Sequence, residues 1–250
     1  MLRLAAFFVM SCLALAGSAV AAPPRKPAKP VTIFVPPPAP VEKPEVLAER
    51  GKQAMEAKNY AGAARDIELA CAAGIAESCY YQGELLRTGA AGKRDIDAAL
   101  SAYRKACEAG DARSCNSFAV NQLPFARDDA ARAQNTAFLA RACAMDHGQA
   151  CSNLAYRIEK GTGIAQDKVE ALRLYRKACD LKYAGGCRNA AISLEAGNGA
   201  EKDLAGALAL YQKGCELDEL DSCFWAAVAI EEGKGTTPDK ITARGLYGKN

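Results

Sequence analysis

The sequence predicts an all-α protein, a right-handed α-α solenoid of 36-residue helix-turn-helix repeats. Pairs of cysteines eight positions apart recur along the chain, and each pair begins 36 residues after the one before it. From Glu45 onward the chain is rich in Ala, Leu, Glu, Lys and Arg, has only two prolines and shows no alternating strand pattern. Because a fixed period of this size is the signature of a repeat architecture, we expect an array of similar helical units.

Residues 1–21 are predicted to be a secretory signal peptide. A mostly apolar run from Leu4 to Ala16 follows Arg3, and small residues stand at Ala19 and Ala21, as a cleavage site requires. The run is too short for a membrane-spanning helix, and no other segment is long and apolar enough. A lipoprotein anchored at Cys12 is the alternative. We therefore expect a periplasmic or secreted bacterial protein.

Residues 22–44 form a predicted Pro-rich linker ahead of a repeat solenoid at 45–250. The linker holds nine of the eleven prolines, which favours extended polyproline conformation. A Pro-rich ligand for an aromatic groove is the alternative. The formal charge of +3 comes from mixed acidic and basic residues, so no nucleic-acid partner is expected.

One repeat can be followed from Asp167 to Lys202. Ala171, Leu174 and Ala178 mark one apolar face of a first helix, and Asp167 is predicted to cap its start, with Glu170 completing a capping box. The predicted N-caps of the other repeats are Asn59, Asp95, Asp203 and Asp239. A second apolar run then ends at a glycine turn. Each unit is therefore predicted to be helix A, tight turn, helix B and glycine turn.

The paired cysteines are predicted to form one disulfide in each repeat. Eight residues of continuous helix would separate two Cα atoms by about 12 Å, whereas a bridged pair needs them within about 7 Å. The chain must therefore turn back between them, at Gly74, Gly110, Asp146/Gly148, Gly185/Gly186 and Asp218. The predicted bridges are Cys71–Cys79, Cys107–Cys115, Cys143–Cys151, Cys179–Cys187 and Cys215–Cys223. A single histidine and the spacing of eight argue against zinc.

The repeat resembles the Sel-1-like repeat in its cysteine-rich, secreted, Hcp-type form. The motif stands at Ala99-Leu100-Tyr103-Lys105-Ala106-Cys107, at Ala171-Leu172-Tyr175-Lys177-Ala178-Cys179 and, without the last alanine, at Ala207-Leu208-Tyr211-Lys213-Cys215. Residues 46–71 resemble a tetratricopeptide unit instead, and Asp239 is expected to begin a terminal helix that acts as a cap. The resemblance implies a scaffold that binds a protein or peptide partner, or a cell-envelope component, on a concave surface. It also implies, as the alternative, a weak β-lactamase or penicillin-binding protein.

The residues themselves do not indicate an enzyme. No serine after residue 21 has lysine three positions later, as serine β-lactamases require, so the enzyme alternative rests on the resemblance alone. We expect no catalytic site, no cofactor and no metal, and a monomeric protein. His147 is expected to be a surface residue.

Candidate binding residues come from the repeats that depart from the pattern. Asn121, Gln122 and Arg127 stand where the glycine turn is lost and are predicted to border a partner site, although relaxed constraint would explain them equally well. The register tyrosines are expected to be packing residues rather than a ligand ladder; they are Tyr103, Tyr175, Tyr211 and Tyr247. Trp225 is expected in the core.

Overall fold

The computed structural model describes residues 42–248, so the predicted signal peptide 1–21 and most of the predicted linker lie outside the described residues. The described part is all-helical and contains no strand. Its helices are α1 Pro44–Glu56, α2 Tyr60–Ala72, α3 Ala76–Thr88, α4 Ile96–Glu108, α5 Ala112–Gln122, α6 Asp129–Ala144, α7 Gly148–Lys160, α8 Lys168–Asp180, α9 Ala184–Ala196, α10 Leu204–Glu216, α11 Leu220–Glu232 and α12 Lys240–Tyr247. A 3₁₀ turn, Leu123–Phe125, follows α5. None of these helices is long and apolar enough to cross a membrane.

The helices pack in chain order and form two rows. We call α1, α3, α5, α7, α9 and α11 the odd row, and the remaining helices the even row. Each helix packs on its two neighbours in sequence, and successive odd-row helices also contact one another, for example α7 with α9. Successive even-row helices approach less closely. The predicted solenoid is confirmed, with each unit in contact with its neighbours.

The predicted N-caps are formed. Asp95, Asp203 and Asp239 each accept a hydrogen bond from a backbone N–H in the first helical turn, and Asn59 accepts one from Gly62. The capping box predicted at Asp167 is only half formed, because the Glu170 carboxylate pairs with Arg173 Nη2 at 2.7 Å instead of returning to the cap. Cap side chains satisfy backbone donors that the helix itself leaves open.

The tight turns between even-row and odd-row helices all contain a residue in the left-handed region. These residues are Gly74, Gly110, Asp146, Lys182 and Asp218, with φ values of 96°, 95°, 56°, 60° and 61°. The prediction that Gly185 and Gly186 make the fourth turn is wrong, since both lie within α9. Gly186 instead permits close packing: a Cβ there would lie 2.8 Å from the backbone nitrogen of Cys179.

Every predicted disulfide is present. The five bridges are Cys71–Cys79, Cys107–Cys115, Cys143–Cys151, Cys179–Cys187 and Cys215–Cys223, with Cα–Cα distances of 4.5 or 4.6 Å. Each joins the end of an even-row helix to the start of the next odd-row helix. All ten sulfurs belong to buried residues, so each bridge is also part of the packed interior.

The turn between α5 and α6 departs from the others. The odd-row helices α3, α7, α9 and α11 end at a left-handed glycine, at Gly89, Gly161, Gly197 and Gly233. Here the 3₁₀ turn takes its place, and α6 starts earlier in the repeat, with Asp128 accepting a hydrogen bond from Ala131 N at 2.7 Å. The irregular sequence at 121–125 therefore changes the turn and lengthens one helix without interrupting the solenoid.

The register tyrosines are packing residues, as predicted. Tyr103, Tyr175 and Tyr211 are at most 3% exposed, while Tyr247 on the last helix is half-buried. Each hydroxyl donates a hydrogen bond to a glutamate of the preceding odd-row helix; the pairs are Tyr103–Glu84, Tyr175–Glu159, Tyr211–Glu195 and Tyr247–Glu231. Small side chains, mainly alanine, fill the space between the rings and allow neighbouring helices to approach closely.

Candidate functional site

A stripe of exposed apolar side chains follows the odd row of helices. Val120 on α5, Tyr156 on α7 and Ile192 on α9 stand 36 residues apart and are 45%, 53% and 44% exposed. Val228 on α11 continues the register and is half-buried. We call this surface, together with the residues three positions earlier in each helix, the odd-row face. The same position repeats on four successive odd-row helices, so these side chains form one row.

Side-chain amides lie beside the apolar stripe. Asn153 and Asn189 stand three positions before Tyr156 and Ile192 and are half-buried. Asn153 donates to Asn116 Oδ1 at 2.8 Å, and Asn189 donates to Ser152 Oγ at 3.2 Å, so each amide links two odd-row helices. Within residues 42–248 the Oδ1 atoms of Asn153 and Asn189 accept no hydrogen bond. The odd-row face therefore offers fixed acceptors next to apolar contact area.

Trp225 belongs to this face rather than to the core. Its position in the repeat is that of Asn153 and Asn189, and its side chain is 42% exposed. The ring packs edge-on against Phe224, with ring centroids 5.3 Å apart. The expectation of a core tryptophan is wrong because the alanines at 226 and 227 already face the neighbouring helices, which turns Trp225 outward.

The three residues predicted to border a partner site do not converge. Asn121 donates to the Ser117 carbonyl at 2.8 Å, within its own helix. Gln122 accepts a hydrogen bond from Asn135 Nδ2 at 3.0 Å, on the side of α6. Arg127 is exposed in the loop before α6. A partner site at these residues stays a prediction, and the structure does not bring them together.

A buried polar cluster lies behind Gln122. Asn135 is fully buried and donates to the Ala119 carbonyl at 2.8 Å, while its Oδ1 accepts a hydrogen bond from Arg157 Nη1 at 3.1 Å. Arg157 is 5% exposed and forms no ion pair among the described residues. Burial lowers the pKa of its guanidinium. The cluster fixes the α5–α6–α7 junction through hydrogen bonds where other units use alanine.

His147 is a structural residue. Its Nδ1 accepts a hydrogen bond from the backbone N–H of Ala150 at 3.2 Å and caps α7, so the expectation of a simple surface residue is corrected. Burial lowers the pKa of its imidazole, which keeps the ring neutral and able to accept. Among the residues that the structure describes, no group of three His, Cys, Asp or Glu side chains could hold a metal ion.

Sequence reasoning missed the residues of the odd-row face. Val120, Tyr156 and Ile192 read as apolar positions of amphipathic helices, and nothing local marks them as exposed. The signal that could have found them is the 36-residue period combined with the helical phase, since they fall outside the alanine-rich face that packs. The arrangement carries no visible catalytic chemistry and is suited to contact with another molecule.

Comparison with solved structures shows the same fold. A Sel1 repeat protein from Oxalobacter formigenes is 21% identical over 80% of this chain and 82% of that chain, with a TM-score of 0.74. The protective antigen c5321 of uropathogenic Escherichia coli, which displays an SLR fold, is 19% identical over 82% of this chain and 45% of that chain, with a TM-score of 0.72. Helicobacter pylori cysteine rich protein B is 28% identical over 52% of this chain and 93% of that chain, with a TM-score of 0.43. No curated protein matches the chain.

The family comparison identifies the repeat. A model of the Sel1 repeat matches residues 76–111, 148–183, 184–219 and 220–249, which is more than half of the chain. Each matched unit starts at an odd-row helix, so Cys179–Cys187 and Cys215–Cys223 each join two matched units. The unmatched segment 112–147 contains the 3₁₀ turn and Asn135. The chain therefore belongs to the Sel1 repeat family.

Proposed function

We propose that this protein is an exported scaffold that binds an extended segment of a partner protein along the odd-row face. Sel1 repeat proteins typically mediate protein interactions. The observation that carries the proposal is the exposed stripe at Val120, Tyr156 and Ile192, repeated in one register on successive odd-row helices. Interface cores are enriched in such aromatic and apolar groups, which monomeric surfaces seldom expose in a row.

Export is supported by two independent features. Five disulfides are typical of proteins outside the reducing cytoplasm. The first 21 residues have the composition of a signal peptide, although they lie outside the described structure. We propose the periplasm or the extracellular space as the compartment, with the segment at 22–44 as a spacer ahead of the solenoid.

The dimensions of the face fit an extended chain. Neighbouring packed helices lie about 8–10 Å apart, and an extended peptide advances about 3.3 Å per residue. About three partner residues would therefore span one repeat. Tyr156 and Ile192 would contact partner side chains, while Asn153 and Asn189 would accept hydrogen bonds from partner backbone N–H groups. Backbone hydrogen bonds and side-chain contacts together give affinity and specificity in such recognition.

Affinity capture with matched variants tests the proposal. The protein without residues 1–21 is immobilised and exposed to cell-envelope extract, and bound proteins are identified by mass spectrometry. Tyr156→Ala and Ile192→Ala should each weaken capture about tenfold, because buried aromatic and apolar anchors dominate binding energy. Leu69→Ala is the control, since Leu69 is 46% exposed on the even row.

The capture experiment has three possible outcomes, and each bears differently on the proposal. Capture that is lost in the odd-row variants and retained in Leu69→Ala supports the proposal, provided circular dichroism shows equal helix content. Equal capture by all variants would move the site elsewhere. Capture of nothing by the unmodified protein would remove the support for a scaffold role.

A further inference from the structure

A groove on the opposite, even-row side of the molecule has a different chemistry. It runs along the outer surface of α8 and ends against the turn at Gly199 and Ala200, with a volume of about 530 Å³. The lining residues on α8 are Val169, Leu172, Arg173, Arg176, Lys177 and Asp180. We call this surface the α8 groove. It combines an apolar wall with three cations.

The charge of this groove is unusual within the chain. Residues 167–182 carry five Lys and Arg against three Asp and Glu. The equivalent residues 95–110 carry two basic against three acidic residues, and residues 203–218 carry one basic against three acidic residues. Residues 131–146 carry two Lys and Arg against one Asp, so residues 167–182 have the largest positive excess of these even-row segments.

Ion pairing leaves one groove cation free for a ligand. Arg173 pairs with Glu170 at 2.7 Å and Lys177 pairs with Asp146 at 2.8 Å. Asp180, the acidic residue of the lining, is neutralised by Lys213 at 2.8 Å. Arg176 is exposed and forms no ion pair or hydrogen bond within residues 42–248. Arg176 thus presents an unpaired guanidinium to the groove.

The combination of a large exposed apolar residue and an arginine occurs on α8 alone among the described even-row helices. Val169 is 67% exposed, and its position holds Asp97 in α4, alanine in α2, α6 and α10, and the exposed Ile241 in α12. The position of Arg173 holds arginine in α2, Ser101 in α4, alanine in α6 and α10, and glycine in α12. Neither side chain is required by the repeat itself, since neighbouring units fold without them.

In the equivalent groove on α4, the corresponding arginine contacts an aromatic ring of the protein itself. That groove is lined by Asp97, Leu100, Ser101, Arg104, Phe118 and Gln122. Arg104, the counterpart of Arg176, lies over the Phe118 ring at 4.9 Å, a cation–π contact. The counterpart of Phe118 in the α8 groove is Ala190, which offers no ring. Arg176 therefore lacks the internal partner that Arg104 has.

We propose that the α8 groove binds an acidic segment of a partner protein. One apolar side chain of that segment packs against the exposed Val169, and one of its carboxylates pairs with Arg176. Charge complementarity selects an anionic ligand, and the exposed valine beside the cations selects a peptide over a purely polar anion. This surface is separate from the odd-row face and does not depend on the function proposed for that face.

The test uses the disulfide-bonded protein without residues 1–21. The probe is a fluorescein-labelled peptide that alternates glutamate and leucine, and binding is followed by fluorescence anisotropy at low salt. Arg176→Glu should weaken binding about fivefold or more, because one exposed ion pair is replaced by repulsion. The double variant Val169→Asp/Arg173→Ser, which copies the α4 groove, should weaken it similarly. Added salt should weaken binding of the unmodified protein.

Matched controls locate the effect. Arg104→Glu places the same charge change in the α4 groove and should leave binding unchanged, and Tyr156→Ala should do the same for the odd-row face. A peptide of glutamate alone should bind at least several-fold less tightly than the mixed peptide. Circular dichroism and thiol counting confirm that each variant keeps its helices and bridges.

Several results would overturn the proposal. Absence of measurable binding at millimolar protein would do so, as would equal affinity for Arg176→Glu and the unmodified protein. Equal binding of the glutamate-only peptide, or full competition by inorganic phosphate, would show a general anion surface. Binding to vesicles of anionic phospholipid but not to the peptide would indicate a membrane surface instead.

Discussion

Asn135 occupies a position that holds a buried alanine in the other even-row helices, at Ala63, Ala99, Ala171, Ala207 and Ala243. It is tolerated because Arg157 and the Ala119 carbonyl satisfy its amide. A buried polar group without a hydrogen-bond partner lowers the free energy of unfolding, so the effects of removing Asn135 and Arg157 should depend on each other. Sequence alone shows the substitution, but only the structure shows that Arg157, 22 residues away, is its partner.

A double-mutant cycle tests this linkage. We expect Asn135→Ala to destabilise the protein by about 1–3 kcal/mol, because it leaves the Arg157 guanidinium buried without its acceptor. Asn135→Ala/Arg157→Ala reproduces the pair Ala207/Ala229 and should cost less than the sum of the single variants. Urea unfolding followed by circular dichroism measures all three. Additive effects would contradict the assigned hydrogen bond.

The buried tyrosines give the protein an alkaline limit. Burial, reinforced by the neighbouring glutamates, raises the pKa of Tyr103, Tyr175 and Tyr211 above the usual value. In the unfolded chain the tyrosine hydroxyls ionise at about pH 10. The folded state thus holds its protons longer, so its stability is fully present below about pH 10 and falls as pH rises further.

A titration of tyrosinate absorbance with parallel circular dichroism checks this prediction. The three buried hydroxyls should ionise only together with unfolding, whereas exposed tyrosines such as Tyr156 should ionise earlier. Tyr175→Phe should reduce the loss of stability above about pH 10, since one of the linked groups is removed. Ionisation of all tyrosines before any loss of helix would contradict the assignment.

The tight turn is the element that repeats most faithfully, and its geometry matters more than its sequence. Gly, Asp and Lys all occupy its left-handed position. Composition correctly indicated a turn at each site, but it misplaced the fourth, because two glycines inside α9 were more conspicuous than Lys182. Gly186 is needed for close helix packing and not for a turn. The positive φ of Lys182 could not be predicted, because lysine rarely adopts the left-handed region.

Lys182→Gly should stabilise the protein. Lysine with φ of 60° carries the steric cost of the left-handed region, which glycine avoids, although glycine adds unfolded-state entropy. We expect a net gain of up to about 1 kcal/mol in the free energy of unfolding, measured by thermal or urea unfolding. Gly110→Lys, the converse change at a φ of 95°, should destabilise. A destabilised Lys182→Gly would show that this side chain makes contacts that outweigh the strain.

At the scale of the whole molecule, each disulfide joins one helix pair to the next along the array. A solenoid depends on contacts between neighbours, so a bridge between units limits how far one weak junction can open. The irregular junction at 121–129 lies between the bridges Cys107–Cys115 and Cys143–Cys151. The junction that the Asn135 hydrogen bonds hold together therefore has one disulfide before it and one after it in the chain.

Removal of one bridge tests that role. Cys107→Ser/Cys115→Ser should lower the free energy of unfolding by about 2–3 kcal/mol on the chain-entropy model. Thermal unfolding by circular dichroism measures the change, and full reduction should lower the midpoint further. Alkylation of the unreduced protein, read by intact mass, should label none of the ten bridged cysteines. Substantial labelling would contradict the bridges.

The helical repeat, the pairing of the cysteines and the predicted N-caps could be read from the sequence, as could the packing of Tyr103, Tyr175 and Tyr211, because each depends on residues close in the chain and repeats every 36 positions. Which apolar side chains remain exposed depends on contacts between units, so it became visible in the folded molecule alone. Trp225 and Tyr156 face outward, and Arg157 meets Asn135, because of how the helices stack. The candidate binding surfaces arise from that stacking, which a single repeat cannot specify.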